Sequence, residues 1–349
     1  MFLFRFCKNI NDMRKPYLML LFLISIGLLD CASSGNLVEP ETNVEIFATY
    51  SNPNGTPALN IDRAKLPPIV NVANVQSLTN STNCRPTRVC LSIRNVRFQD
   101  SYSNAYELVT QNTFEINGGK FIQDVENQLT VTTSRTLDFV LVLDVSNSLG
   151  ADLAKVKQYA NDFIDQVKAK SPSSNVGIVT FSRAIETLPL TNDFASAKSF
   201  IQNKTGVDET RLFEAIDTGL KLLTNSSADG KAILIFTDGI NNASSDPAKY
   251  QTINYISDQL KKTTGTPVSS FAIGLDGSTA SGALQSQLAG LTSNGGFYEV
   301  APNSSVLQST FAKFANSISA VYTFTYDRND SRTSTPIDLK FVLTLKKLN

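Results

Sequence analysis

Histidine is absent from the 349 residues of this chain. Without an imidazole there is no histidine acid or base, no Ser-His-Asp arrangement and almost no route to a zinc site. Net charge is absent too. The 31 Lys and Arg offset 31 Asp and Glu, so no overall field draws the chain to nucleic acid. Neither a Gly-x-Gly-x-x-Gly run nor a Gly-Lys-Ser/Thr loop follows any strand-like segment, which leaves a nucleotide-binding reading without support. Cysteine is scarce, with 4 in all, and the apolar run Tyr17–Leu29 falls short of the roughly 20 residues that span a bilayer. The missing tryptophan excludes nothing.

What is present begins with an export signal over residues 1–30: Lys8, Arg14 and Lys15 precede the apolar run, and no basic residue closes it. Cys31 follows directly, and Ser33, Ser34 and Gly35 open a polar stretch. A cysteine so placed resembles the lipidated cysteine of bacterial lipoproteins. The resemblance implies an anchor at Cys31 and a place in the cell envelope, on the surface or periplasmic face of the outer membrane. Asp30 departs from the small residue usual before such a cysteine, and ordinary cleavage after Ser33 is the alternative. Cys84 and Cys90 remain as the mature pair. In an oxidising compartment they can close a small loop worth about 2 kcal/mol, free thiols being the alternative.

With 42% apolar and 18% charged residues the chain reads as globular, long enough for one sizeable core and something smaller. Residues 31–83, rich in Asn, Ser, Thr and Pro, read as a polar tether, with Val44–Tyr50 as a possible short strand. Residues 84–135 carry short alternating runs (Val89–Ile93, Thr113–Ile116, Leu129–Thr132) and read as a small β module. Residues 321–349 read as one β-hairpin packing with that module.

Between residues 136 and 320 strands and helices alternate. Asp138–Leu143 and Ala232–Phe236 are continuous apolar runs, as buried parallel strands require. Stripes at Val156, Ala160, Phe163 and Val167, at Leu212, Ile216 and Leu220, and at Phe311, Phe314 and Ile318 predict helices. Asp246-Pro247 predicts the start of another, carrying Ile253, Ile256 and Leu260. The pattern implies an α/β fold, a doubly wound, mostly parallel sheet with helices on both faces.

Such sheets place their sites beyond the carboxyl ends of the strands. There stand Asp144-Val145-Ser146-Asn147-Ser148, Thr210 before a helix, and Thr237-Asp238-Gly239. Singly, these residues are ordinary capping and strand-end types. Together they resemble the metal-ion-dependent adhesion site of von Willebrand factor A domains, over residues 136–320. That resemblance implies a Mg2+ ion, or Mn2+ or Ca2+ in its place, held by Ser146, Ser148 and Thr210 directly and by Asp144 and Asp238 through water. An open corner would then take an Asp or Glu of a protein partner. One departure is visible: where the family often carries glycines before the threonine, this chain has Gly206-Val207-Asp208-Glu209. Asp208 and Glu209 are therefore candidates for the site rim, as is Asp276 after the strand-like run Val268–Ile273.

A haloacid-dehalogenase-like phosphotransferase would need a second Asp where Ser146 stands. Metal-chelatase subunits of the same family are cytosolic, against the export signal. The expectation is a binding module and not an enzyme, with a degenerate scaffold domain as its rival.

Overall fold

The architecture follows from two periodicities, two along the strands at both ends of the chain and 3.6 along the helices between them. The computed structural model describes residues 40–79, 88–100, 104–133, 136–262, 265–276, 281–329 and 333–348. Strands run in the order β1 (Glu41–Asn52), β2 (Ala58–Ile61), β3 (Val70–Val72), β4 (Leu78–Thr79), β5 (Arg88–Phe98), β6 (Tyr106–Asn117), β7 (Lys120–Gln123) and β8 (Gln128–Thr133). The middle of the chain supplies β9 (Leu137–Asp144), β10 (Ser174–Phe181), β11 (Ile185–Thr191), β12 (Gly230–Thr237), β13 (Val268–Leu275) and β14 (Tyr298–Ala301). Its end supplies β15 (Tyr322–Asn329) and β16 (Thr333–Lys347). The helices are α1 (Leu153–Lys170), α2 (Phe194–Gln202), α3 (Leu212–Leu223), α4 (Pro247–Tyr250), α5 (Asn254–Leu260), α6 (Ser281–Gly290) and α7 (Leu307–Ser319).

The middle strands form one sheet in the order β11-β10-β9-β12-β13-β14, parallel except for the edge strand β11. Every residue of β9 and β12 is buried. Along β9, Phe139, Leu141 and Leu143 share a core with Val156 and Phe163 of α1 and Phe311 of α7. Val140 and Val142 join Ile216 of α3, Ile256 of α5 and Leu288 of α6 in another. Each such side chain removed from water stabilises the fold by about 2 kcal/mol. The helix expected from Asp246 is interrupted. Asp246 caps α4 by accepting from the Lys249 amide, but Asn241 Nδ2 donates to the Tyr250 carbonyl, and a new helix begins only at Asn254.

The segments before and after the α/β part, from Glu41 to Thr133 and from Tyr322 to Lys347, meet in a β-sandwich. One sheet runs β2-β1-β16-β6-β7 and the other β3-β5-β15-β8, with β4 beside β5. Between them lies one core holding Ile46 and Tyr50 of β1, Phe98 of β5, Phe324 and Tyr326 of β15, and Phe341 and Leu343 of β16. Gly118 and Gly119, at φ +58° and +78°, make the turn between β6 and β7, where a side chain would be strained.

These sheets correct two expectations. From residue 41 to 79 the chain is not a polar tether but strands β1 to β4, which bury Val44, Ile46, Ala48 and Tyr50 against β16. Residues 321–349 do not form a hairpin: β15 pairs with β5 and β8, whereas β16 pairs with β1 and β6. Both segments have an apolar face, and facing each other across the sandwich buries both. Tyr322 of β15 pairs with Thr133 of β8, so the chain leaves the sandwich and re-enters it on adjacent strands.

Arg97 of β5 ties the sandwich to the α/β part. A bulge at Asn95, φ +55°, interrupts the pairing of β5 with β15. The Arg97 guanidinium donates to Ser269 Oγ of β13 at 3.0 Å and to the Ser317 and Ile318 carbonyls at the end of α7. Cys90 is disulfide-bonded. Residues 1–30, Cys31 and Cys84, Cys90's expected partner, lie outside the described residues. Among the described residues no helix is long and apolar enough to cross a membrane.

Candidate metal centre

β9 and β12 lie side by side, and their carboxyl ends deliver Asp144 and, one residue past the strand, Asp238. Asp144 is fully buried. Its Oδ1 accepts from the Ser146 amide at 2.8 Å, which turns the chain sharply after the strand, and its Oδ2 accepts from Thr237 Oγ1 at 2.7 Å. The turn sets Ser146 Oγ 2.8 Å from Ser148 Oγ, which donates to Asp238 Oδ1 at 2.9 Å.

The loop before α3 completes the site. Val207 bridges to Ser146, and its carbonyl accepts from the Asn147 amide at 3.0 Å. A Cβ on Gly206 would stand 2.7 Å from Asn147 Oδ1, so the one glycine in this loop leaves room for the Asn147 side chain. Thr210 and Asn242 hold each other: the Thr210 amide donates to Asn242 Oδ1 at 2.8 Å, and the Asn242 amide to the Thr210 carbonyl at 3.1 Å. Asn241 Oδ1 accepts from the Phe213 amide and so caps α3, which lacks a cap of its own. Asn241 is itself held by Gln287.

The five residues Asp144, Ser146, Ser148, Thr210 and Asp238 thus come from three loops to one place. All but the buried Asp144 line a cavity of about 340 Å3 open to solvent. Burial pushes the Asp144 carboxyl up to about 6, the neighbouring Asp238 charge adding to the rise, and burial raises Asp238 as well. Among the described residues neither carboxylate forms an ion pair. Thr210 Oγ1 has no hydrogen-bond partner among them either, although Thr210 is only 5% exposed. Two buried anions without a cation, beside neutral hydroxyls, fit a hard divalent ion. Among the described residues no cluster of three or more His, Cys, Asp or Glu occurs. This donor set is mostly hydroxyl and would not form one.

Of the rim candidates, Asp208 and Glu209 line the cavity. Asp276 does not: it follows the last residue of β13, one strand further from β9, where its amide donates to the Ala301 carbonyl. The sequence reading passed over Asn147, Asn241, Asn242 and Gln287, whose amides fix the loops. Asn241-Asn242 after Thr237-Asp238-Gly239 reads only as a turn, and nothing in its spacing points to α3.

The model of the von Willebrand factor type A domain matches residues 138–313. The chain belongs to that family. Among solved structures, the A domain of this chain is similar to the vWF domain of the type V pili tip protein Mfa5 from Porphyromonas gingivalis. That match has 13% identity and a TM-score of 0.42, and covers 54% of this chain and 96% of that one. It is also similar to BatB from Bacteroides thetaiotaomicron, at 21% identity and a TM-score of 0.38, covering 51% and 97%. The pilus adhesin SpaC from Lactobacillus rhamnosus GG matches at 12% identity and a TM-score of 0.44, covering 78% of this chain and 43% of that one. No curated protein matches.

Proposed function

We propose that this is a metal-dependent protein-binding module of the cell envelope, acting in adhesion or envelope assembly and not as an enzyme. The observation that carries the reading is the pair of buried carboxylates, Asp144 and Asp238, which have no ion-pair partner among the described residues and stand beside Ser146, Ser148 and Thr210. When bound, Mg2+ (or Mn2+ or Ca2+) supplies an electrophilic corner that a partner's Asp or Glu can fill. The chain's own groups do the rest. Asp144 and Asp238 balance the positive charge, Ser146, Ser148 and Thr210 offer neutral oxygens, and Asn242 with Thr237 keeps two of these groups in place. The export signal and Cys31 support lipid anchoring at the outer membrane.

The scaffold reading has one observation in its favour: Ser146, Ser148 and Asp238 already hydrogen-bond to one another. Manganese titration followed by electron paramagnetic resonance separates the two. We expect one ion per chain, lost in Asp144→Ala and Asp238→Ala while circular dichroism stays unchanged. Wild-type protein that takes up no manganese would leave the scaffold reading in place. For the anchor, Cys31→Ser should abolish fatty-acid labelling and partition into detergent; an unlabelled soluble wild type overturns lipidation alone.

A further inference from the structure

Within the A domain, residues 136–320, three large apolar side chains among the described residues stand well out in solvent: Val207, Ile240 and Tyr298. Two of them flank the metal cavity. Ile240, 39% exposed, lines it, and Val207, 40% exposed, is bridged to Ser146 at its edge. Two of the A domain's three exposed large apolar side chains thus stand at or beside the opening of the site. Exposed apolar side chains beside a cavity are what the buried centre of a protein interface uses.

The charges of the same rim are lopsided. Glu209 is paired with Arg183 at 3.1 Å, and Arg211 with Glu214. Asp208 is exposed and lines the cavity. Its Oδ1 accepts from Asn147 Nδ2 at 3.0 Å, and among the described residues it has no cationic partner. The chain holds it there through Glu209, a non-glycine residue at φ +78°, a conformation sustained only under constraint. Once Asp144 and Asp238 are offset by a divalent ion, the cavity mouth still carries the Asp208 charge. A bare carboxylate arriving from a partner is repelled by it. A carboxylate arriving with a neighbouring cation is not.

We propose that the rim selects a protein partner whose acidic residue is flanked by a lysine or arginine that meets Asp208 and by an aliphatic or aromatic side chain that meets Ile240 and Val207. The proposal rests on the metal-dependent reading above and narrows it from any acidic side chain to one in a basic and apolar setting.

The test uses the whole protein with Mn2+ and three fluorescein-labelled peptides, Gly-Lys-Asp-Leu-Gly, Gly-Glu-Asp-Leu-Gly and Gly-Lys-Asp-Ser-Gly, read by anisotropy. Manganese occupancy is measured in the same samples. The lysine peptide should bind about tenfold tighter than the glutamate peptide, and all binding should vanish in chelator. Asp208→Asn keeps the acceptor for Asn147 but removes the charge, and should bring the two affinities to within about twofold. Ile240→Ser, at an exposed position, should make the leucine and serine peptides equal. Equal affinities in the wild type, a preference that survives Asp208→Asn, or no peptide binding by manganese-loaded protein each overturns the rim proposal. A protein that never takes up manganese overturns the metal reading itself, which the occupancy measurement shows separately.

Discussion

The α/β half and the sandwich junction bury charge in opposite ways. In the A domain two carboxylates, Asp144 and Asp238, are enclosed with no cation beside them among the described residues, next to a cavity that opens to solvent. At the junction Arg97 has no anion beside it among the described residues: 1% exposed, it is held by Ser269 Oγ, the Ser317 and Ile318 carbonyls and Asn95 Oδ1, over the ring of Phe271. The carbonyls at the end of α7 carry the negative pole of that helix, so neutral acceptors can serve a cation there. Arg97 has its partners fixed within the chain and is a structural tie. The carboxylates stand beside a cavity open to solvent, where the proposed metal would offset them.

The largest effect should come from the sandwich core. Phe341 is fully buried and packs 5.9 Å from the Tyr326 ring. Phe341→Ala should cost about 4 kcal/mol in urea unfolding. Because the A domain has cores of its own on both faces of its sheet, hydrogen exchange should rise in β1 and β16 and stay low in β9 and β12. Equal loss of protection in all four strands would show a single cooperative unit and erase the contrast between the halves.

A smaller effect, of opposite sign, is expected at the buried anion. Asp144 holds its proton up to about pH 6 in the folded protein without metal, the unfolded chain only to about pH 4. The folded state therefore binds more protons over that interval, and stability falls as pH rises through it. The penalty is absent below about pH 4 and complete above about pH 6, where it reaches about 3 kcal/mol. Metal-free Asp144→Asn should be more stable than wild type by that amount at pH 7.5, lose the advantage at pH 4, and bind manganese at least about a hundredfold more weakly. A pH-independent difference would mean that the carboxylate is solvated.

How much of this was legible beforehand follows the same division. The A domain is contiguous and its signals are local: the apolar run of β9 ends at Asp144, the stripe of α3 begins at Leu212, and the family resemblance named Asp144, Ser146, Ser148, Thr210 and Asp238. The sandwich is not contiguous. Val44 of β1 lies opposite Leu343 of β16, at the other end of the chain, so a polar composition hid a strand whose alternation counts only beside its partner. The same distance hid the separation of β15 from β16. Among site residues, Asn242 was illegible because an asparagine two residues past Ile240 looks like any turn residue until its amide oxygen is seen on Thr210. Arg97 gave no signal either, since an arginine in an alternating strand reads as outward-facing, as Arg88 and Arg94 of the same strand do.

Replacing the tie at the junction should move stability less than its burial suggests. Burial pulls the Arg97 guanidinium down to about 9, so placing the charge there is costly, and removing it offsets much of what the lost hydrogen bonds contributed. Arg97→Met keeps the stem and should cost about 2 kcal/mol or less. Its signature is local: faster exchange in the last turn of α7, where the Ser317 and Ile318 carbonyls lose their donor. In wild type, exchange over residues 303–326 should be the same with and without manganese, because Arg97 holds the helix end. A manganese-dependent change there would show α7 moving with the metal site despite the tie.

The smallest effect on stability should carry the most information about the site. Thr210 enters through two different groups. Its backbone is clamped by Asn242, which takes the Thr210 amide and returns a hydrogen bond to its carbonyl, while its hydroxyl bonds to nothing among the described residues. Asn242→Ala should therefore cost about 1 kcal/mol and loosen the loop, weakening manganese binding by way of position. Thr210→Ala keeps the clamp and removes only the hydroxyl. It should shift the unfolding midpoint by about 0.5 kcal/mol or less, yet weaken manganese binding about tenfold, and Thr210→Ser should restore it. Manganese binding by Thr210→Ala equal to wild type would show that this hydroxyl does not meet the ion, leaving Ser146 and Ser148 as the only neutral oxygens of the centre.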